Sequence, residues 1–263
     1  MTTTLLILDF SGTLSLEAVR FGTSERLAVA LQQSGLQALG IDTERYWNDL
    51  VIPTWVEGST TRIGLRALLS RKLQECGIPS ATAVRSAGRF TRAYMAASVI
   101  DPAWQPLFTI LQYRQQTIPL IATDHYAEAT FQIAGELAKL DWSARALRRE
   151  HNRIKRVRVG PLQHTALAFI ANSADLGVAK ADPRFWQYVQ IGLPRGVTQV
   201  IVVDDFGANE NLADFYADPT RVERRRQQTI SAIEEVFQVP VQMIWFTLDR
   251  RIEEIIQNII GSG

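Results

Sequence analysis

Five short apolar runs punctuate the chain, at residues 4–8, 118–122, 167–171, 200–203 and 241–246. Each is nearly unbroken and mostly β-branched or aliphatic, which suits strands buried on both faces of a parallel sheet. Periodicity alone does not separate such runs from buried helix segments; their length and the turn-type residues behind them favour strand. Helical patterns lie between and after the last four. Over 128–140, Phe131, Ala134, Leu137 or Ala138, and Leu140 fall toward one side, and 222–237 and 248–260 are likewise amphipathic. Strand alternating with helix predicts right-handed crossovers and an α/β fold with a doubly wound, Rossmann-like parallel sheet.

The first two runs are separated by residues 9–117, which carry no convincing strand pattern. Helices are expected at 25–33, at 62–76 (stopped by Gly77 and Pro79) and at 85–99. Another opens at Asp101-Pro102 and places Trp104, Leu107, Phe108 and Leu111 on one stripe. The expectation is a smaller α-helical cap domain, residues 17–114, above a core domain built from 1–16 and 115–263, with hinges near Leu16 and Gln115. There is no internal repeat and no low-complexity tract.

Composition narrows the partners. At 46% apolar, 21% charged and a formal charge of +1, the chain has material for a core but no global attraction to nucleic acid or anionic membrane. Nucleic acid is not an expected partner. The single cysteine, Cys76, cannot form an internal disulfide, which points to a reducing compartment. The N-terminus lacks the basic region of a signal peptide, and no stretch approaches the roughly 20 apolar residues of a membrane span. A soluble, cytoplasmic protein is expected; oligomeric state is open. One segment departs from the even charge distribution. Arg145, Arg148, Arg149, Arg153, Lys155, Arg156 and Arg158, with His151, face only Glu150 among acids. A solvated helix face and loop is the expected form, and a docking patch for an anionic partner the alternative.

Ligands of open α/β sheets bind beyond the carboxyl ends of the strands, so the residues after each run are the candidates for chemistry. After the first comes Asp9-Phe10-Ser11-Gly12-Thr13-Leu14; Gly12 permits a tight turn in which amides and the Thr13 hydroxyl surround an anion beside the Asp9 carboxylate. After the second comes Thr123-Asp124-His125, read as a hydroxyl beside the free amides of a helix start, a phosphate site. After the third, Gly177-Val178-Ala179-Lys180-Ala181-Asp182-Pro183 offers Lys180 to neutralise a phosphate and the carboxylate. After the fourth, Asp204-Asp205-Phe206-Gly207-Ala208-Asn209 is an acidic cluster suited to a hard cation such as Mg2+. Each element alone is weak; the order of all four carries the weight.

That ordered set resembles the haloacid dehalogenase-like (HAD) superfamily. Residues 9–14 look like its first motif, Thr123 ends a strand like its second, Lys180 is similar to the third-motif lysine, and Asp204, Asp205 and Asn209 look like the fourth. The resemblance spans the whole chain, because the helical stretch stands where the family carries its cap. It implies a Mg2+-dependent hydrolase in which Asp9 attacks phosphorus and forms an aspartyl-phosphate. The second Asp9 oxygen, the Ser11 carbonyl and Asp205 would hold the metal, with Asn209 orienting a metal-bound water. Thr123, the amides after it and Lys180 would stabilise the transferring group. Asp204 would neighbour the metal or ligate it.

Ser11 departs from the pattern, since typical phosphatases of the family carry there a second Asp that protonates the leaving oxygen. Serine is far too weak an acid for that, and losing a general acid typically costs about 100- to 10,000-fold. A good leaving group, a proton from His125 or the cap, or a weakened site would each account for it. The leading expectation is a phosphatase on a small phosphorylated metabolite. The alternatives are a phosphonatase-like hydrolase, for which Lys72 is the only cap lysine, and a catalytically weakened HAD-fold binding or regulatory protein. Dehalogenases of the superfamily attack carbon without a metal, which the retained Asp204 and Asp205 argue against. Arg62, Arg66, Arg71, Arg85, Arg89 and Arg92 are expected mostly on exposed cap faces, and Trp47, Trp55 and Tyr94 in core packing, with a substrate pocket as their alternative.

Overall fold

The computed structural model describes residues 3–160, 165–194, 196–210 and 217–261; residues 1 and 2, which enter the N-terminal reading above, lie outside the described residues. Seven strands form one sheet: β1 (Thr4–Leu8), β2 (Thr117–Thr123), β3 (Trp142–Glu150), β4 (Arg153–Val159), β5 (Ala166–Asn172), β6 (Gln199–Asp204) and β7 (Val241–Trp245). Their order is β4-β3-β5-β2-β1-β6-β7, parallel except for β4 against β3.

The five apolar runs are all strands, and β1 shows why they read as unbroken. Leu5 and Ile7 join one buried cluster with Phe169, Val202, Trp186 and Ile233, while Leu6 and Leu8 join the opposite one with Trp104, Ile133, Val203 and Ile256. Both faces are covered by helices, so alternate positions have no polar side to occupy. The register aligns Leu8 with Ile121 on one side and Val203 on the other. Asp9, Thr123 and Asp204 therefore emerge near one level at the same edge.

The basic segment is neither helix nor loop. β3 and β4 form an antiparallel hairpin with Glu150 opposite Arg153 and a two-residue turn at His151 and Asn152; His151 takes φ +56°. Trp142, Ala144 and Ala146 point into the core while β4 is mostly exposed. Cationic side chains on such an edge oppose pairing with another chain. Several are committed within the molecule: Arg148 to Asp175, Lys155 to Glu150, Arg156 to the carbonyls of Gly192 and Leu193, and Arg149 above the Tyr188 ring.

Between β1 and β2 the described chain is helical, including Leu16–Phe21, Ser24–Ser34, Leu65–Glu75 and Ser80–Ala97. Leu27, Leu31, Leu68, Leu73 and Phe90 form a cluster separate from the two around the sheet. The helix Gln105–Leu111 behaves differently: Trp104, Leu107, Phe108 and Leu111 pack into the sheet's own core. The helix after β2 runs over Glu128–Lys139, with Ile133, Ala134 and Leu137 buried and Phe131 turned out to solvent. The last helix is Ile252–Gly261, and Leu248 lies before it, exposed.

One carboxylate joins the helical insertion to the sheet. Glu128 accepts from the amides of Leu65 and Arg66 at 2.9 and 3.2 Å, so a side chain of the core caps the Leu65–Glu75 helix. Gly64 sits there at φ +80°, where a Cβ would lie 2.7 Å from Glu128 Oε1. Glu128→Ala strips that helix of its cap and is expected to cost about 1–2 kcal/mol in urea unfolding; an unchanged midpoint and slope would show that the cap carries no load.

Candidate active site

Buried charge organises the carboxyl edge of the sheet. Lys180 Nζ lies 2.5 Å from Asp9 Oδ1 and 2.7 Å from Asp204 Oδ2, with all three residues buried. The lysine comes from the segment after the short helix Ser173–Leu176, where Gly177 turns the chain at φ +79°. Asp124 fixes this segment by accepting from the Lys180 amide at 2.9 Å, and Trp186 Nε1 donates to the Lys180 carbonyl. Burial works against the Lys180 charge, but Asp204, Asp9 and Asp124 outweigh it and hold its pKa well above the ordinary value. The ammonium is therefore permanent at neutral pH.

One ammonium does not balance the acids. Carboxylate oxygens of Asp9, Asp204 and Asp205 all lie within 4.8 Å of one another. Burial raises Asp9 well above the usual carboxylate range, with Lys180 acting against it and Asp204 and Asp205 adding to it. Burial, with Asp204 and Glu210 close by, pushes Asp205 up to about 8. Buried carboxylates driven toward protonation are what a hard divalent cation would relieve, and oxygen-only donors are what it takes. The two aspartates at the end of β6 are not equivalent as ligands. Asp204 has both oxygens engaged, Oδ2 by Lys180 and Oδ1 by the Phe206 amide at 2.6 Å. Asp205 accepts backbone amides, that of Asn209 at 2.9 Å among them. The residues that could hold a cation are thus Asp9 and Asp205, with Asp204 holding the lysine.

The loop after β1 is pressed against this pair. Gly12 takes φ +79°, and a Cβ there would lie 2.4 Å from Asp205 Oδ2. Thr13 is fully buried and its hydroxyl accepts from the Asp205 amide at 3.1 Å, so it fastens two loops together and does not line the cavity above Asp9. Asn209 does similar work: its Nδ2 donates to the Gly12 carbonyl at 2.8 Å and its Oδ1 accepts from the Leu248 amide at 3.1 Å. Trp104 Nε1 closes the arrangement from below on the Thr13 carbonyl.

Asp9, Ser11, Thr123, Asp124, His125, Lys180, Asp204 and Asp205 do line one cavity. The segment after Thr123 is not a helix start, because the helix begins only at Glu128. The His125 amide donates to Ser173 Oγ and the Tyr126 amide to His125 Nδ1, so these two amides are already spent. His125 itself is buried and its ring stacks on Tyr94, with Nε2 3.1 Å from the Tyr94 hydroxyl. Burial lowers its pKa to about 4, which leaves a neutral ring at pH 7 and no imidazolium to act as an acid. Since Nδ1 accepts, the neutral ring carries its hydrogen on Nε2.

Two charged residues of the cavity escaped the sequence reading. Glu210 accepts from the Ser11 hydroxyl at 3.0 Å, and Arg225 donates to the Phe206 carbonyl at 2.5 Å while lining the same cavity. Glu210 adjoins Asn209 in sequence and could have been flagged from that; Arg225 sits in a basic stretch of the helix Pro219–Phe237 and carries no local signal. Trp47, Trp55 and Tyr94 line the cavity and also pack against the insertion's cluster. Lys72 pairs with Glu75 at 2.8 Å away from the cavity, and none of Arg62, Arg66, Arg71, Arg85, Arg89 or Arg92 lines it.

Sequence comparison gives no matching family model and no matching curated protein. Among solved structures, the chain is similar over 100% of both lengths to a 2-haloacid dehalogenase from Pseudomonas syringae pv. Tomato DC3000, at 15% identity and a TM-score of 0.53. It also aligns with a HAD-family enzyme from Bacteroides thetaiotaomicron (10% identity, 97% and 98% of the two chains, TM-score 0.45). YfnB of Bacillus subtilis, described as a HAD-hydrolase and bound to magnesium, aligns at 15% identity over 98% of both chains with a TM-score of 0.45. The doubly wound core with its helical insertion is a HAD-like fold.

The buried neutral His125 has a measurable consequence. Its folded pKa of about 4 lies below the ordinary 6.5, so between those values the unfolded chain binds a proton that the folded chain refuses. Stability from this group is full above about pH 6.5 and falls as pH drops toward 4, by up to about 3 kcal/mol. In urea titrations, the stability of wild type minus that of His125→Gln is expected to shrink by this order between pH 7.5 and 4.5. A difference independent of pH would mean that the ring is accessible to protons.

Proposed function

We propose that this chain is a divalent-metal-dependent phosphohydrolase with Asp9 as its nucleophile. The observation that carries the reading is the Lys180 ammonium set between Asp9 and Asp204, with Asp205 alongside, beneath a cavity at the carboxyl edge of the sheet. Lys180 opposes the effect of burial on Asp9 and faces the same space that a bound phosphoryl group would fill. Asp204 fixes the lysine, and Asp124 fixes the backbone that carries it.

In the proposed reaction a carboxylate oxygen of Asp9 attacks phosphorus, the ester P–O bond breaks, and its electron pair leaves on the alcohol oxygen. Water then adds to the aspartyl-phosphate, returning the Asp9 carboxylate and releasing inorganic phosphate. Lys180 and Thr123 offset the negative charge on the phosphoryl oxygens. A divalent cation held by Asp9, Asp205 and the Ser11 carbonyl would screen the charge between nucleophile and phosphoryl group, and Mg2+ is the proposed ion. No imidazolium stands ready to protonate the leaving oxygen, and the Ser11 hydroxyl donates its hydrogen bond to Glu210. A second reading is hydrolysis at carbon, favoured by the fold shared with a 2-haloacid dehalogenase; there Asp9 would displace halide and no cation is required.

Purified protein is expected to hydrolyse p-nitrophenyl phosphate in the presence of Mg2+ and to lose at least about 1,000-fold of its kcat in Asp9→Asn and about 100-fold in Lys180→Ala. Ser11→Asp is expected to raise turnover of alkyl phosphates. Chloride release from 2-chloropropionate without metal, with no phosphate release from any ester, would overturn the phosphohydrolase reading in favour of the second.

Cation binding can be followed apart from turnover. Because Asp205 lies near 8, a cation must displace proton occupancy at neutral pH. Calorimetric titration with Mg2+ at pH 7 in buffers of different ionisation enthalpy is expected to show proton release that Asp205→Asn reduces. Binding without proton release would place the cation elsewhere.

A further inference from the structure

The helical insertion gives the space above Asp9 an unusual lining. Below stand the carboxylates, Lys180 and Arg225; above, Phe21, Tyr46, Trp47, Trp55, Tyr94 and Tyr126 form the walls. These rings brace one another: Tyr94 lies 5.2 Å from Phe21, Trp47 5.2 Å from Tyr46, and Trp55 edge-on to Tyr126 at 5.4 Å. The remaining wall from the insertion is Ala18, Gly22, Leu27 and Val51. Among the described residues, no Lys, Arg, Asp or Glu of the insertion reaches this cavity, although the insertion carries many.

Such walls select by desolvation. A sugar or polyol phosphate would bring several hydroxyls against aromatic faces that offer few partners, and each unpaired group is costly. An uncharged ring would instead bury apolar area and find offset or edge-on neighbours. The floor adds an independent constraint. His125 is neutral there, and the Ser11 hydroxyl is turned to a carboxylate, so a leaving group that departs as a weak base is favoured. A phenol meets both demands; a sugar or polyol meets neither, and a simple aliphatic alcohol fails the second. A quaternary ammonium group would also suit an aromatic box, but an aliphatic amino alcohol is a strong base when it leaves.

We propose that the substrate is a phosphate monoester of an uncharged aryl alcohol, its ring held by the Trp47, Trp55 and Tyr94 walls and its phosphate over Asp9. This rests on the phosphohydrolase reading for its chemistry, not for its binding. In the proposed step an Asp9 oxygen bonds to phosphorus as the aryl O–P bond breaks and the phenolate leaves with the bonding pair; water then splits the aspartyl-phosphate, returning Asp9, releasing phosphate and freeing the proton that balances the one the phenolate takes up from solvent.

Two measurements test it on the full chain. The first is kcat/KM with Mg2+ for phenyl and 1-naphthyl phosphate against glycerol 3-phosphate, glucose 6-phosphate and phosphocholine. Aryl esters are expected to lead by at least about 100-fold, the scale that burial of a ring brings, and Trp47→Ala and Trp55→Ala to cut that lead by about tenfold each. Trp47→Leu and Trp55→Leu, which keep apolar volume, serve if the alanine variants do not fold. The second is calorimetric binding of phenyl phosphate and glycerol 3-phosphate to Asp9→Asn, which cannot turn over. Tighter binding of the aryl ester supports the assignment even if no ester is hydrolysed, an outcome that would sink only the phosphohydrolase reading. Equal or better use of sugar, polyol or choline esters, or equal binding in Asp9→Asn, overturns the aryl assignment while leaving phosphohydrolysis standing.

Discussion

The contact between Lys180 and its two aspartates sets the terms for everything around it. An ammonium out of water at 2.5 and 2.7 Å from Asp9 and Asp204 exists only because its charge is answered at once; removing either partner of a buried pair typically costs about 3–5 kcal/mol. The three residues are far apart in sequence and meet because β1 and β6 are paired in register and because the segment after β5 crosses back over them. The remaining acid, Asp205, has no such answer among the described cations in contact with it. Its elevated pKa is the physical form of that deficit, and it is why the proposed divalent cation belongs beside Asp205 and not beside Asp204.

Around this centre the molecule spends much of its polar chemistry on holding loops in place. Thr13, Asn209 and Trp104 each tie the loop after β1 to another element. Several groups of the kind that would bind a phosphate directly, the Thr13 hydroxyl and the His125 and Tyr126 amides among them, are committed inside the protein. What remains facing the cavity is a small charged floor under an aromatic roof. That separation of charge from apolar surface makes the insertion, anchored to the core through Glu128, the element that would set specificity.

The hairpin β3–β4 illustrates a different constraint. A sheet built from crossovers needs its edges protected, and the chain places its densest positive charge on the outermost strand. Arg148, Arg149, Lys155 and Arg156 contact carboxylates, carbonyls or a ring nearby. On an outer strand such charges oppose pairing with another chain, and four of them also pair locally.

Much of the fold was legible because burial on both faces leaves an unmistakable local trace. Strands β1, β2, β5, β6 and β7 are short apolar runs, and the residues just beyond four of them fall at one sheet edge by topology alone, which brings Asp9, Thr123, Lys180, Asp204 and Asp205 to one cavity. The hairpin escaped because an edge strand keeps only one apolar face, and the arginines of β3 and β4 hid the alternation of Trp142, Ala144 and Ala146 and of Val157 and Val159. The helix start expected at His125 failed for a related reason: backbone hydrogen bonds to Ser173 and to the His125 ring divert the chain until Glu128. Which side of a helix faces a cavity, which carboxylate oxygens are already taken, and where Glu210 and Arg225 arrive are matters of contact between distant segments. Local sequence determines which side chains are available and the period at which they recur. Only the tertiary structure decides what each one touches, because burial, charge balance and hydrogen-bond partners are properties of neighbours in space.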